Sequence, residues 1–169
     1  MQNKTKWAIA CLSASAALIA GIKSHEGYRA KPYHDVGKVA TVGYGSTQYA
    51  DGRRVKITDA PVGREQAEKM LRAHVAKDEG RLKAMLPGVY LSAAEYDVYA
   101  DFVYNFGAAN FQKSSMRRNL LAGNHKAACQ SLLKYKYAGG RDCSIRKNGC
   151  YGVWTRQVSR HKKCMEANT

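Results

Sequence analysis

Between Arg64 and Leu86 the apolar residues Ala67, Met70, Leu71, Val75, Leu82 and Met85 recur at helical spacing among polar neighbours. That period predicts a long amphipathic helix, with Pro87-Gly88 as its stop. Ser92 followed by Glu95 reads as a capping box that opens the next helix, in which Tyr99, Phe102, Val103 and Phe106 share a buried face and which Gly107 ends. Aromatics at this spacing build a core. Shorter helical patterns follow over Ser115 to Ala122, closed by Gly123, over Asn124 to Tyr135, and after Gly152. A short helix is expected over Ile22 to Arg29. Lys31 to Ile57 has a different rhythm, with strand-like runs cut by Pro32, Gly37, Gly43, Gly45 and Asp51-Gly52. The pattern therefore predicts an α+β fold: a small β lobe over about residues 31–57 and a larger helical lobe over about residues 64–169, joined by the long helix. No internal repeat or low-complexity tract interrupts it.

The start of the chain follows another logic. Two lysines precede Trp7, and then sixteen residues pass without a charge, from Trp7 to Ile22, before Lys23. As one helix that stretch would be about 24 Å long, against a hydrocarbon core of about 30 Å. Only Trp7, Ile9, Leu12, Leu18, Ile19 and Ile22 are strongly apolar, while Ala, Ser and Gly fill most other positions. Its insertion free energy should lie near zero, so it can enter a bilayer and leave it again. One reading is a cleaved secretory signal with Ala14-Ser15-Ala16 before the cut. Cleavage there would leave only a short apolar remnant ahead of Glu26, which favours retention. Outside a bilayer, the face bearing Ile9, Leu12, Ile19 and Ile22 needs a protein surface to cover it.

Charge narrows the partners. Against 13 Asp and Glu stand 28 Lys and Arg, a formal +15, which calls for an anionic partner: nucleic acid, anionic lipid or the peptide-bearing glycan of a cell wall. The basic residues are spread along the chain without an arm or an aromatic-interleaved basic motif, and a membrane-directed start is wrong for a nucleic-acid binder, so no nucleic acid is expected. No phosphate loop, nucleotide fingerprint or metal-ligand set is present, so neither cofactor nor metal is expected. Cys129, Cys143, Cys150 and Cys164 cluster in the last quarter, while Cys11 stands alone. Four in a basic exported domain read as two disulfides, with three pairings possible; the nested one, Cys143 with Cys150 and Cys129 with Cys164, closes a short loop and ties two flanking helices. Zinc would need paired ligands at close spacing, which are missing.

The candidate chemistry lies near the start of the predicted β lobe. Glu26 is followed after eight residues by Asp35, and after five more by Thr41, which leads into Val42-Gly43-Tyr44-Gly45. A carboxylic acid and a carboxylate are the parts a glycosidase needs. Any helix end followed by a turn also supplies Glu and Asp, so the pair alone is ambiguous. Glu26 closes an apolar segment, where burial would favour the protonated acid, whereas Asp35 lies in a turn-rich stretch and would stay ionised. Thr41 can hold the attacking water through its hydroxyl, and Gly43 and Gly45 let backbone pass close to a sugar ring.

In these residues the chain resembles the phage-type lysozymes of glycoside hydrolase family 24, whose signature is Glu, eight residues, Asp, five residues, Thr. Asp101 to Gly107, Phe111, Ser114-Ser115-Met116, Tyr137 to Arg141, Gly152-Val153 and Arg156 fit the same pattern, so the resemblance covers roughly residues 22 to 165. It departs at Gln157 and Arg160, where many relatives carry Arg and Glu. The resemblance implies a lysozyme-like catalytic domain over residues 26–169, preceded by an export and signal-arrest-release segment over residues 1–25. It further implies inverting hydrolysis of the β-1,4 bond from N-acetylmuramic acid to N-acetylglucosamine in peptidoglycan by a monomer, with Glu26, Asp35 and Thr41 as catalytic residues. Arg156 would orient Glu26, and Tyr44 and Asn105 would line the cleft, though Tyr44 also suits a core. Residues 7–22 would pass through the Sec route, tether the enzyme to the host inner membrane facing the periplasm, and release it there for lysis. A lytic transglycosylase on the same fold, or a non-enzymatic cationic membrane- or nucleic-acid-binding protein, are the rival functions.

Overall fold

The computed structural model describes residues 5–35 and 38–169; Lys4 and the expected turn at Gly37 lie outside them. In chain order the first elements are β1 (Trp7–Ala8), α1 (Ala16–Glu26), β2 (Arg29–His34), β3 (Ala40–Gly43) and α2 (Arg64–Met85). They are followed by β4 (Tyr90–Leu91), α3 (Ala93–Phe106), α4 (Ala108–Lys113), α5 (Ser115–Leu121) and α6 (His125–Ser131). The last are β5 (Tyr137–Ala138), β6 (Arg141–Asp142) and α7 (Tyr151–Glu166). Two compact units divide the chain: Ala14–Gly80, and Arg81–Thr169 together with the described residues up to Ser13.

The Ala14–Gly80 unit opens on α1. Ser15 caps it, its Oγ accepting from Leu18 N at 3.1 Å, and Gly27 ends it at φ 70°. The chain then turns into an antiparallel pair in which Tyr33 faces Thr41 and His34 faces Ala40. Isolated bridges from Val42 to Ser46 and from Gln48 to Arg54 extend this small β region. Ile19, Ile22, Val42, Val62, Ala67 and Leu71 are buried in the unit. Gly43 has φ 69°, and a Cβ there would meet the Ala67 Cβ at 2.8 Å, so only glycine allows β3 to lie this close to α2.

The other unit is helical. Its N-terminal strand β1 pairs antiparallel with β4, Trp7 facing Leu91 and Ala8 facing Tyr90, and Ile9 N donates to Val89 O at 3.0 Å. The capping box forms as the sequence predicts: Ser92 Oγ accepts from Glu95 N, and Glu95 Oε2 accepts from Ser92 N at 2.9 Å. Tyr96, Tyr99, Phe102, Phe111, Met116 and Leu132 are fully buried around α3. Cys129 is bonded to Cys164 and Cys143 to Cys150, the nested arrangement among the three. The first joins α6 to α7 across 35 residues and the second closes a loop of seven. Replacing Cys129 and Cys164 together by serine is expected to lower stability by about 3 to 4 kcal/mol, and the other pair by about 2 to 3, from the denatured-chain entropy that each link removes. Denaturant unfolding of the two double variants checks both the size and the order.

Several local expectations are corrected. The uncharged stretch from Trp7 to Ile22 is not one helix: it forms β1, a 3-10 turn at Ile9–Cys11, extended chain and then α1. Ser15 prefers the cap position to a helix interior, and β4 supplies a strand partner that local sequence does not announce. Among the described residues no helix is long and apolar enough to cross a membrane. The helix expected over Ile22 to Arg29 instead runs Ala16–Glu26, because Gly27 stops it and Arg29 already pairs in β2. The boundary expected between residues 25 and 26 accordingly falls inside α1. The pattern over Asn124 to Tyr135 breaks into α6 and a 3-10 turn at Leu132–Lys134. Ile9, Leu12, Ile19 and Ile22 are all buried, so each has found the protein cover that its apolar character demands.

Candidate active site

Glu26, Asp35 and Thr41 all belong to the Ala14–Gly80 unit. Glu26 is the last residue of α1 and is exposed, not buried as its apolar approach suggests. The apolar side chains of α1 turn inward at Ile19 and Ile22, and Glu26 follows after the buried stripe has ended. Its carboxyl lies against the turn after β3: a Cβ built on Gly45 would stand 3.4 Å from Glu26 Oε2. Gly45 also holds φ 82°, a backbone that L residues rarely adopt. Gly45→Ala is therefore expected to lower stability by about 1 to 2 kcal/mol and to displace the Glu26 carboxyl; thermal unfolding reads the first effect and wall hydrolysis the second.

Asp35 follows β2 and is half-buried. Its Oδ1 accepts from Val39 N at 2.8 Å, its own N–H donates to Val39 O at 3.0 Å, and Lys38 N donates to Asp35 O at 2.9 Å. Lys38 pays for this tight turn with φ 59°, the one positive φ outside glycine among the described residues. Thr41 is buried in β3, and its hydroxyl donates to the same Val39 O at 3.0 Å. The backbone of Val39 thus ties the carboxylate to the hydroxyl: its N–H fixes one Asp35 oxygen, while its carbonyl receives Thr41. With its proton committed there, Thr41 Oγ1 is left as an acceptor. Side-chain spacing predicts Asp35 and Thr41 but is silent about Val39, because the link runs through backbone.

The remaining candidates divide between the units. Tyr44 is 4% exposed, with its ring 5.6 Å from that of Tyr28 and the Lys23 ammonium over its face at 5.3 Å, which fits the core alternative. Asn105 and Arg156 belong to the helical unit and share a partner there. Asn105 Nδ2 donates to Asp101 O at 2.8 Å, and Arg156 Nη2 lies 3.4 Å from Asp101 Oδ1. Arg160, where the chain departs from the family pattern, binds the other Asp101 oxygen through Nε at 2.6 Å and Gln157 Oε1 through Nη1 at 2.6 Å. Gln157 in turn donates to Leu132 O at 3.2 Å. Arg160 is 3% exposed, and burial lowers its pKa while the Asp101 carboxylate opposes that shift. This Asp101–Arg160 pair escaped the sequence reading, although Gln157 and Arg160 were visible as departures. No group of three His, Cys, Asp or Glu side chains able to hold a metal occurs among the described residues.

The sequence profile described as Phage lysozyme matches residues 23–165. The chain belongs to the phage lysozyme family. Within this family it is 33% identical over 143 residues to a SAR-endolysin of bacteriophage PS119, covering 83% of this chain and 76% of the relative. To a SAR-endolysin of bacteriophage PS34 it is 31% identical over 169 residues, covering 93% and 91%. Among solved structures, the phage P22 lysozyme superposes with a TM-score of 0.75 at 25% identity, covering 91% of this phage lysozyme and 99% of the P22 chain. An endolysin of Escherichia coli O157:H7 phage FAHEc1 matches with a TM-score of 0.77 at 23% identity over 93% and 96%, which bears on the fold. The α+β lysozyme-like fold read from the sequence is thus the fold observed.

Proposed function

We propose that this phage lysozyme is an endolysin that hydrolyses the β-1,4 bond from N-acetylmuramic acid to N-acetylglucosamine in host peptidoglycan, with inversion. Glu26 gives its proton to the glycosidic oxygen as the bond to the sugar carbon breaks. Asp35 takes a proton from a water that attacks the opposite face, and Thr41 Oγ1 accepts that water's other hydrogen. The backbone N–H of Val39 holds the Asp35 carboxylate in place through Oδ1. The observation that carries this reading is the family match over residues 23–165, which takes in the whole Glu26, Asp35, Thr41 set at the family spacing. Purified murein should yield products with reducing ends whose newly formed hemiacetal is initially α. An anhydro product would turn the assignment to a transglycosylase, and a β hemiacetal would replace inversion by a covalent intermediate.

The SAR-endolysin relatives support a second part of the reading. Residues 1–25 serve as an export segment, residues 7–22 tether the enzyme to the host inner membrane, and release frees it in the periplasm as a monomer. The split of this stretch into β1, a turn and α1 describes the form outside the bilayer, with Ile9, Leu12, Ile19 and Ile22 covered by protein.

A further inference from the structure

Glu95 is fully buried, yet it is not only a helix cap. Its Oε2 accepts from Ser92 N at 2.9 Å and lies 3.5 Å from the Lys6 ammonium. Its Oε1 meets His125 Nδ1 at 2.9 Å and accepts from Asn168 Nδ2 at 2.8 Å. Lys6 also donates to Asn168 Oδ1 at 3.0 Å. Burial opposes the charge on Glu95, but Ser92 N–H, Asn168, Lys6 and His125 outweigh it and hold the carboxyl below its ordinary pKa. Directly after Lys6 comes the β1–β4 pairing, followed by Ile9 and Leu12, 5% and 8% exposed. A cation, a strand pair and two apolar anchors therefore dock in succession within seven residues.

We propose that Glu95 and Asn168 form the receptor for Lys6, a latch that captures the N-terminal segment as it leaves the bilayer and sets how completely the enzyme is released. The proposal rests on the tether reading above and adds the device that opposes reinsertion. Lys6 precedes the apolar residues 7–22 and Glu95 follows them. While that stretch spans a membrane, the two lie on opposite sides, so insertion and latching exclude each other. Every contact made by Lys6 then counts towards the released state alone, the condition under which it shifts the equilibrium by its full strength. Losing Lys6 does not strip Glu95 of partners, because Ser92, His125 and Asn168 remain.

The test uses the full chain in a Glu26→Gln background, so that lysis does not destroy the membrane being assayed. After depolarisation, the ratio of soluble to membrane-bound protein should fall about tenfold in Lys6→Met, the effect of losing one hydrogen bond to a charged group, and stay within about twofold in Lys6→Arg. Glu95→Gln, which keeps a capping-box side chain and leaves residues 1–22 untouched, should shift the ratio in the same direction, separating the latch from any change in the segment's own insertion. In the released protein, hydrogen exchange at the Ile9 amide should quicken by a similar factor in Lys6→Met while the amides of α3 keep their rates. Parental partition in Lys6→Met or Glu95→Gln, or unchanged Ile9 exchange, overturns the latch. Failure of the hydrolase reading shows elsewhere, as intact murein with the unmodified chain.

Discussion

Glu26→Gln is expected to slow wall hydrolysis by about a hundredfold to ten-thousandfold, the range supplied by a positioned general acid. Glutamine keeps the shape of the side chain and can still touch the turn at Gly45, but it has no acidic proton for the leaving oxygen. Glu26 is exposed at the end of α1, so thermal unfolding should be nearly unchanged and the loss can be assigned to chemistry. Release of reducing ends from purified murein is the measurement. A parental rate would dismiss Glu26 as the acid and assign the proton delivered to the leaving oxygen to another group.

Asp101→Ala should be the most damaging change away from the candidate catalytic set, by about 3 to 5 kcal/mol. Arg160 is buried and held by Asp101 at 2.6 Å, with a further bond from Nη2 to Asp101 O at 3.3 Å. Removing the carboxylate leaves a buried guanidinium with Gln157 and that backbone oxygen, and no compensating charge. Arg156 loses its Asp101 contact in the same stroke. Replacing both Asp101 and Arg160 by apolar residues should recover part of the loss, because the desolvated charge goes with its partner. Denaturant unfolding of the single and double variants measures this, and a loss below about 1 kcal/mol in Asp101→Ala would show the pair to be of the weak exposed kind.

Much of this architecture was legible because it is local. The period of Ala67, Met70, Leu71, Val75 and Leu82 gives α2 nearly to the residue, and Ser92 with Glu95 gives the start of α3, since helix spacing and caps are written within a few positions. The spacing of Glu26, Asp35 and Thr41 is local too. Illegible were the features that depend on distant chain. Trp7 and Ala8 form a strand only because Tyr90 and Leu91 are there to pair with, and no property of residues 7–22 encodes that partner. The exposure of Glu26 was misjudged because hydropathy describes a segment, whereas burial ends with the inward stripe. The role of Val39 was hidden because any residue contributes the same peptide group. Arg160 stood out as a departure, but only the fold shows that it turns inward to Asp101.

The strand that receives the N-terminus is only two residues long. Under the proposed tethering, Tyr90 and Leu91 of a molecule whose first residues are in the bilayer would offer neighbours a row of amides and carbonyls too short to template intermolecular pairing, and the adjoining helix start at Ser92 cuts it off. On that proposal, brevity here guards against aggregation: tethered copies would crowd together in the plane of the membrane before release without knitting into a sheet.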